Sequence, residues 1–176
     1  MNAAAPEDRR VLLLGVLATV NAHPALWRVH RVHHSDPFVD ATTALRNHPI
    51  EGLWRFLFLM IPTWILGVPA EAVALQRLLT VINGSFEHAN IRLWQPLDRV
   101  LSFFWVTPNM HKVHHSRAHA ETDSSYGNIL SIYDRILGSF TPTERALSVT
   151  YGLDDVPKAL EALGSRGSYG KVIIAP

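Results

Sequence analysis

One chemically loaded element occurs twice in this chain. His30-Arg31-Val32-His33-His34-Ser35 returns as His111-Lys112-Val113-His114-His115-Ser116, differing only by Arg for Lys. On a helix turning about 100° per residue, His30, His33 and His34 share one face, and so do His111, His114 and His115. Every imidazole carries polar nitrogens that need partners, so burying three on one face, twice over, is costly without a metal ion. Two such helices facing each other bring six nitrogen ligands to one volume. A tetrahedral zinc site uses three or four protein ligands, so a pair of ions is the more economical account. The boxes hold no carboxylate, and the Glu-x-x-His element of soluble di-iron bundles is absent. Imidazole without carboxylate fits a redox pair better than a hydrolytic one. The chain has 10 histidines and no cysteine. That excludes disulfides, thiolate zinc sites, iron–sulfur clusters and cysteine nucleophiles, and it leaves donors suited to iron, zinc, copper or nickel.

The other histidines divide by position. His88, in Phe86-Glu87-His88-Ala89-Asn90, closes the apolar block where a returning helix would meet the boxes, and it is a further candidate ligand. His23 and His119 are weaker candidates, and His48 reads as a helix-start residue. Glu87, Asp36, Asp40 and Asp123 are candidates to orient the rings from outside.

Helices must position these residues. The composition is 48% hydrophobic and 18% charged with a net charge of +1, so no basic field exists to hold nucleic acid. Residues 53–86 form the longest apolar block, and only Arg55, Glu71 and Arg77 in it are charged. Leu66-Gly67-Val68-Pro69 divides it with turn chemistry. Each half just approaches the roughly 17–25 residues that cross a bilayer, and Pro62 should kink the first half. This predicts a membrane hairpin, with a buried hairpin of a soluble protein as the alternative. The mean hydropathy of +0.09 requires a large portion outside the membrane. Pro24, Pro49 and Thr107-Pro108 mark helix starts, and Thr141-Pro142-Thr143-Glu144 has capping-box spacing. Val11–Val20 is too short to span a bilayer and has no clear cleavage site after it. Val156–Leu163 reads as a short amphipathic helix, and no alternating run suggests a sheet. The expected fold is an all-α membrane protein with a hydrophobic hairpin and a cytosolic His-rich helical cap. It forms one domain over 1–164, with a Gly-rich tail over 165–176.

With these residues in place, the chain resembles the fatty acid hydroxylase/sterol desaturase superfamily of integral-membrane, non-haem di-iron enzymes. The resemblance covers about residues 24 to 153. It rests on both boxes with their flanks (Leu26–Ser35 and Thr107–Ser116), Arg46–Glu51, Phe86–Asn90, Asp123–Asn128 and Tyr133–Gly138. It implies metal ligation by His30, His33, His34, His111, His114 and His115, with His88 as the intermediate ligand. It further implies two iron ions, dioxygen as co-substrate, and hydroxylation or desaturation of a sterol or fatty acyl C–H bond. Electrons would come from a separate donor, a small haem protein or a ferredoxin. The implied location is a multi-pass membrane protein with its metal site on the cytoplasmic side. The lipid is expected in an apolar slot lined by residues such as Trp54, Phe58, Trp64 and Phe104, with ordinary helix packing or interfacial anchoring as the alternative for any one of them. Members of the superfamily usually carry an earlier His-x₃₋₄-His pair, where this chain reads Leu17–His23 with a single, displaced histidine. The chain therefore reads as N-terminally short, which makes a catalytically impaired metal-binding membrane protein one alternative and a dinuclear zinc hydrolase another.

Overall fold

Proline sets where several helices begin, because its fixed φ and missing N–H suit the first turn. The computed structural model describes residues 23–153. Helix α1 is Pro24–His34. Helix α2 is Pro49–Ile65, its amide at Ile50 donating to the His48 ring at 3.2 Å. The chain reverses through Gly67, at φ 63°, into α3, Ala70–Glu87. Short helices follow: α4 Gln95–Leu101, α5 Pro108–His114, α6 His119–Thr122 and α7 Ile132–Leu137. Two 3-10 turns, Ala41–Leu45 and Thr143–Leu147, complete the set. No strand occurs among the described residues; Trp105 and Leu130 make one isolated bridge.

The α1 and α5 boxes face each other, with the end of α3 between them. The first 3-10 turn packs on α3, and the second packs on α5. Thr107 caps α5 by accepting from the Met110 amide at 3.2 Å. The expected capping box at 141–144 does not form. The chain tightens there into a 3-10 turn capped by Pro142, and the Glu144 carboxylate turns to Arg99 at 2.8 Å. A reciprocal capping box occurs instead at Asp40 and Thr43. Helix α2 continues through Pro62 to Ile65.

The apolar block does form a helical hairpin. Its helices of 17 and 18 residues rise about 25–27 Å at 1.5 Å per residue, against a hydrocarbon core of about 30 Å. Among the described residues no helix is long and apolar enough to cross a membrane. Nor is the hairpin packed away, since Trp64 is 83% exposed and Leu66 76%. Val11–Val20, Val156–Leu163 and the tail lie outside the described residues.

The interior is inverted in character. Among the described residues the buried apolar side chains are Val39, Val106, Pro108, Met110, Val113 and Ala146, whereas the buried polar ones are far more numerous and include seven histidines.

Candidate metal centre

All three imidazoles of each box point inward, because positions i, i+3 and i+4 share one helix face. His88 joins them as the residue that ends α3. These seven rings are between 1% and 6% exposed, so bulk water does not satisfy their nitrogens. They sort into two groups whose ligand atoms lie within 4.8 Å of one another: His33, His88, His111 and His115, and His30, His34 and His114. Each group draws on both boxes. The boxes interleave rather than each holding its own ion.

Carbonyls outside the cluster fix several rings. His33 Nδ1 donates to the Arg46 carbonyl at 3.2 Å, His88 Nδ1 to Gly84 at 2.6 Å, and His114 Nδ1 to Ser124 at 3.0 Å. A carbonyl can only accept, so in these rings Nδ1 holds the proton and Nε2 presents a lone pair inward. His30 Nδ1 faces the Glu51 carboxylate at 2.9 Å, and Arg55 Nη1 reaches the same oxygen at 3.3 Å. Sequence reasoning missed Glu51. The signal was a lone carboxylate inside the Asn47-His48-Pro49-Ile50-Glu51 stretch, at the head of an apolar helix.

The inward nitrogens crowd together. His33 and His88 Nε2 are 3.0 Å apart, His88 and His111 2.9 Å, His111 and His115 3.1 Å, and His30 and His34 3.1 Å. Between His33 and His88 this cannot be a hydrogen bond, since both protons are already committed outward. Charging the rings is no remedy: burial first, then neighbouring histidines, holds His33, His34, His111 and His115 well below the usual value. Burial likewise brings His88 to about 4 and His114 to about 3. A cation suits the arrangement. Nitrogens about 2.1 Å from one ion and about 90° apart stand about 3 Å from each other, which is the spacing seen.

The remaining candidates fall elsewhere. Glu87 is buried beside the larger group, 3.8 Å from His88 Nδ1 and 4.0 Å from His111 Nε2, and accepts from Asn83 at 3.0 Å. Asp36 pairs with Arg46 at 3.0 Å and so braces the residue whose carbonyl holds His33. Asp40 caps the first 3-10 turn, while Asp123 pairs with exposed His119 at 3.2 Å. His23 is an exposed helix-start residue, and His48 caps α2 as expected.

A cavity of about 320 Å³ opens on both groups, reaching His30 and His114 from one and His33, His88 and His111 from the other. Its walls are α2 and α3. Phe56 and Val81 line it, whereas Trp54, Phe58, Trp64 and Phe104 do not. The expected aromatic slot is therefore corrected: other residues of α2 and α3 line this cavity, and Phe104 lies outside the hairpin.

The fatty acid hydroxylase family matches residues 19–139 of the chain. An ornithine lipid hydroxylase of Rhizobium tropici is 33% identical over 132 residues, which are 74% of this chain and 39% of that protein. The alkylglycerol monooxygenase of Danio rerio is 32% identical over 129 residues, 73% of this chain and 27% of that protein. Its Homo sapiens counterpart is 29% identical over 129 residues. The chain thus spans well under half the length of these relatives. No solved structure matches.

Proposed function

The chain belongs to the fatty acid hydroxylase family, and from that premise we propose that it holds two iron ions, one in each histidine group, and hydroxylates a lipid C–H bond with dioxygen. The observation that carries this reading is the pair of Nε2 lone pairs of His33 and His88 facing each other at 3.0 Å with both Nδ1 protons committed outward. Iron bound there supplies dioxygen activation. The reaction consumes one C–H bond, one dioxygen, two electrons and two protons, and it yields a hydroxyl and a water. The electrons come from a separate donor protein. Removal of a second hydrogen in place of hydroxyl insertion gives desaturation, the other outcome open to the family.

The chain's own residues do the positioning. The Arg46, Gly84 and Ser124 carbonyls and the Glu51 carboxylate hold four rings in orientation, which raises ligand affinity and fixes the tautomer. Burial of the rings keeps water from competing. The cavity between α2 and α3 leads the lipid to both groups. We place the hairpin in the membrane as a re-entrant element, tip inward, because its outer faces are apolar and its helices are short. Arg46 before it and Arg92 and Arg99 after it then lie on the cytoplasmic side, following the positive-inside tendency.

Metal analysis of detergent-purified, iron-supplied protein tests the reading. Two irons per chain are expected. His33→Ala should lose the ion of the larger group and His114→Ala that of the smaller, each leaving about one, with helix content by circular dichroism unchanged. Protein that takes up no iron, or whose iron content ignores both substitutions, overturns it.

A further inference from the structure

Helix α4 is amphipathic in the reverse sense. Leu97, Val100 and Leu101 recur at helical spacing, Phe104 in the following turn continues the stripe, and all four are exposed, Val100 at 69%. Asp98 and Ser102, to the other side, are buried. Helix α7 repeats the pattern. Tyr133 and Ile136 face out, Ile136 at 71%, while Asp134 is buried and accepts from the Tyr126 and Gly127 amides at 2.8 Å. In a domain surrounded by water the apolar stripe of a helix turns to the core. Two helices distant in sequence here turn it outward together.

They belong to one braced surface. The Ser131 amide donates to the Phe104 carbonyl at 3.0 Å, and the Ser131 hydroxyl and Arg135 Nη2 donate to the Ser102 carbonyl at 2.7 and 3.1 Å. Trp105 and Leu130 pair as a bridge. The surface is also joined to the hairpin, because the Trp105 indole donates to Asn83 Oδ1 on α3. Along α3, Leu75, Leu78, Leu79 and Ile82 form an exposed stripe at helical spacing that ends beside Asn83.

We propose that α4, its following turn and α7 form a platform that lies flat in the membrane–water interface, at the base of the inserted hairpin. This rests on the hairpin's placement in the bilayer. Three features favour lipid over a second copy of the chain. Trp94, Trp105 and Tyr133 are exposed on these segments, and Trp and Tyr are the side chains enriched where a membrane meets water. The exposed charges of residues 91–105, Arg92 and Arg99, are cationic, with Arg99 also meeting Glu144 at 2.8 Å, whereas Asp98 is turned inside. Basic residues beside an apolar face suit anionic headgroups. The depth agrees as well. Thirteen residues separate Ala70 from Asn83, about 20 Å at 1.5 Å per residue. With α3 along the bilayer normal and Asn83 at the interface, the hairpin tip passes the middle of a hydrocarbon core about 30 Å thick without crossing it. His88, beyond Asn83, then stays on the side of entry.

The chain has no cysteine, so single-cysteine variants accept one nitrobenzoxadiazole label each. Val100→Cys, Ile136→Cys, Leu75→Cys and Ala120→Cys place it at exposed positions, in full-length chain reconstituted into phosphatidylcholine vesicles with a minority of phosphatidylglycerol. Iodide quenches a label in water, and lipids with doxyl groups at shallow or deep acyl carbons quench one in the bilayer. Labels at Val100 and Ile136 should be shielded from iodide and quenched by the shallow lipid, at a depth of about 5–10 Å. Leu75, eight residues before Asn83, should lie about 12 Å deeper than the platform, and Ala120 should stay open to iodide. Circular dichroism checks each fold, and Leu97→Cys and Tyr133→Cys replace any variant that does not fold. Iodide quenching at Val100 and Ile136 equal to that at Ala120 overturns the proposal. So does shielding from iodide without quenching by either lipid, which would mean that protein covers the face. Iodide access at Leu75 with lipid quenching at Val100 and Ile136 refutes the hairpin's insertion and supports the platform alone.

Discussion

A histidine ring serves a metal best when something else holds its second nitrogen, and here main-chain carbonyls hold His33, His88 and His114, whereas His34 Nδ1 and His111 Nδ1 are buried without a partner. His30 is held by a side chain, Glu51. Glu51 is fully buried, accepts from His30 Nδ1 at 2.9 Å and from Arg55 at 3.3 Å, and keeps its other oxygen without a partner. It touches no inward nitrogen in this arrangement, so it acts as a positioning residue for the smaller group. Glu51→Gln should weaken iron at that group about 10-fold and Glu51→Ala nearer 100-fold, with the ion of the larger group retained. Competition with a chelator of graded strength would resolve two steps, and only the weaker step should move. Loss of both ions together would mean that Glu51 supports the fold rather than His30. All seven clustered rings were legible from spacing and from the close of the apolar block. Their anchors were not, because every residue has a carbonyl and only the path of the chain chooses Arg46, Gly84 and Ser124. Glu51 was hidden by its place in the first turn of α2, where a carboxylate is already explained by the helix dipole.

At the scale of elements, the hairpin has two jobs that pull its composition in different directions. Its outer faces are apolar, while its inner face carries Gly52, Gly84, Thr80 and the two arginines. Glycine inside a helix costs about 1 kcal/mol relative to alanine, yet a Cβ at Gly52 meets nothing within 4 Å and one at Gly84 meets only the Ala44 Cβ at 4.0 Å. The space beside Gly52 is the cavity itself. Gly52→Ala should therefore fold as well as the native chain or gain up to about 1 kcal/mol, with lipid binding kept. Gly52→Phe should fill the cavity and lower lipid affinity at least about tenfold, with iron content unchanged. Unaltered binding by Gly52→Phe would place the lipid elsewhere. Helix starts were readable because proline and Thr107 act locally. The cap expected at 141–144 failed because Arg99, distant in sequence, draws Glu144 away. Side-chain direction across the hairpin was equally out of reach, since large apolar residues look alike whether they face a lipid or a slot, and nothing in the sequence separates Phe56, which lines the cavity, from Phe58 and Trp64, which do not.

Over its described residues the molecule reverses the usual arrangement of apolar inside and polar outside. With so few buried aliphatic side chains among the described residues and so many buried polar ones, hydrophobic burial cannot dominate its stability as it does in ordinary domains. Under the proposed function two substitutes are available: ions at the histidine groups and a membrane around the hairpin. The repeat of the His box made the clustering of its six rings legible in the sequence. The interleaving of the boxes was not visible, because it depends on how α1 and α5 cross. Interleaving has a consequence for stability. An ion in either group would tie α1 to α5, and one in the larger group would also tie in the end of α3, so metal binding free energy would become folding free energy. Chelation should lower the melting temperature by more than about 10 °C, as loss of several kcal/mol does in a domain of this size, and added iron should restore it. Acid should compound the effect in the chelated protein. Burial lowers His88 to about 4 and His114 to about 3, so the unfolded chain, with histidines near 6.5, binds more protons than the folded one. Stability is then present at neutral pH and drains as pH falls below about 6.5, down to the folded values. Thermal unfolding in neutral detergent, with and without iron across pH 8 to 5, measures both effects. A chelated protein as stable as the iron-loaded one, and equally stable at pH 5 and 8, would show that the seven rings are held by packing alone.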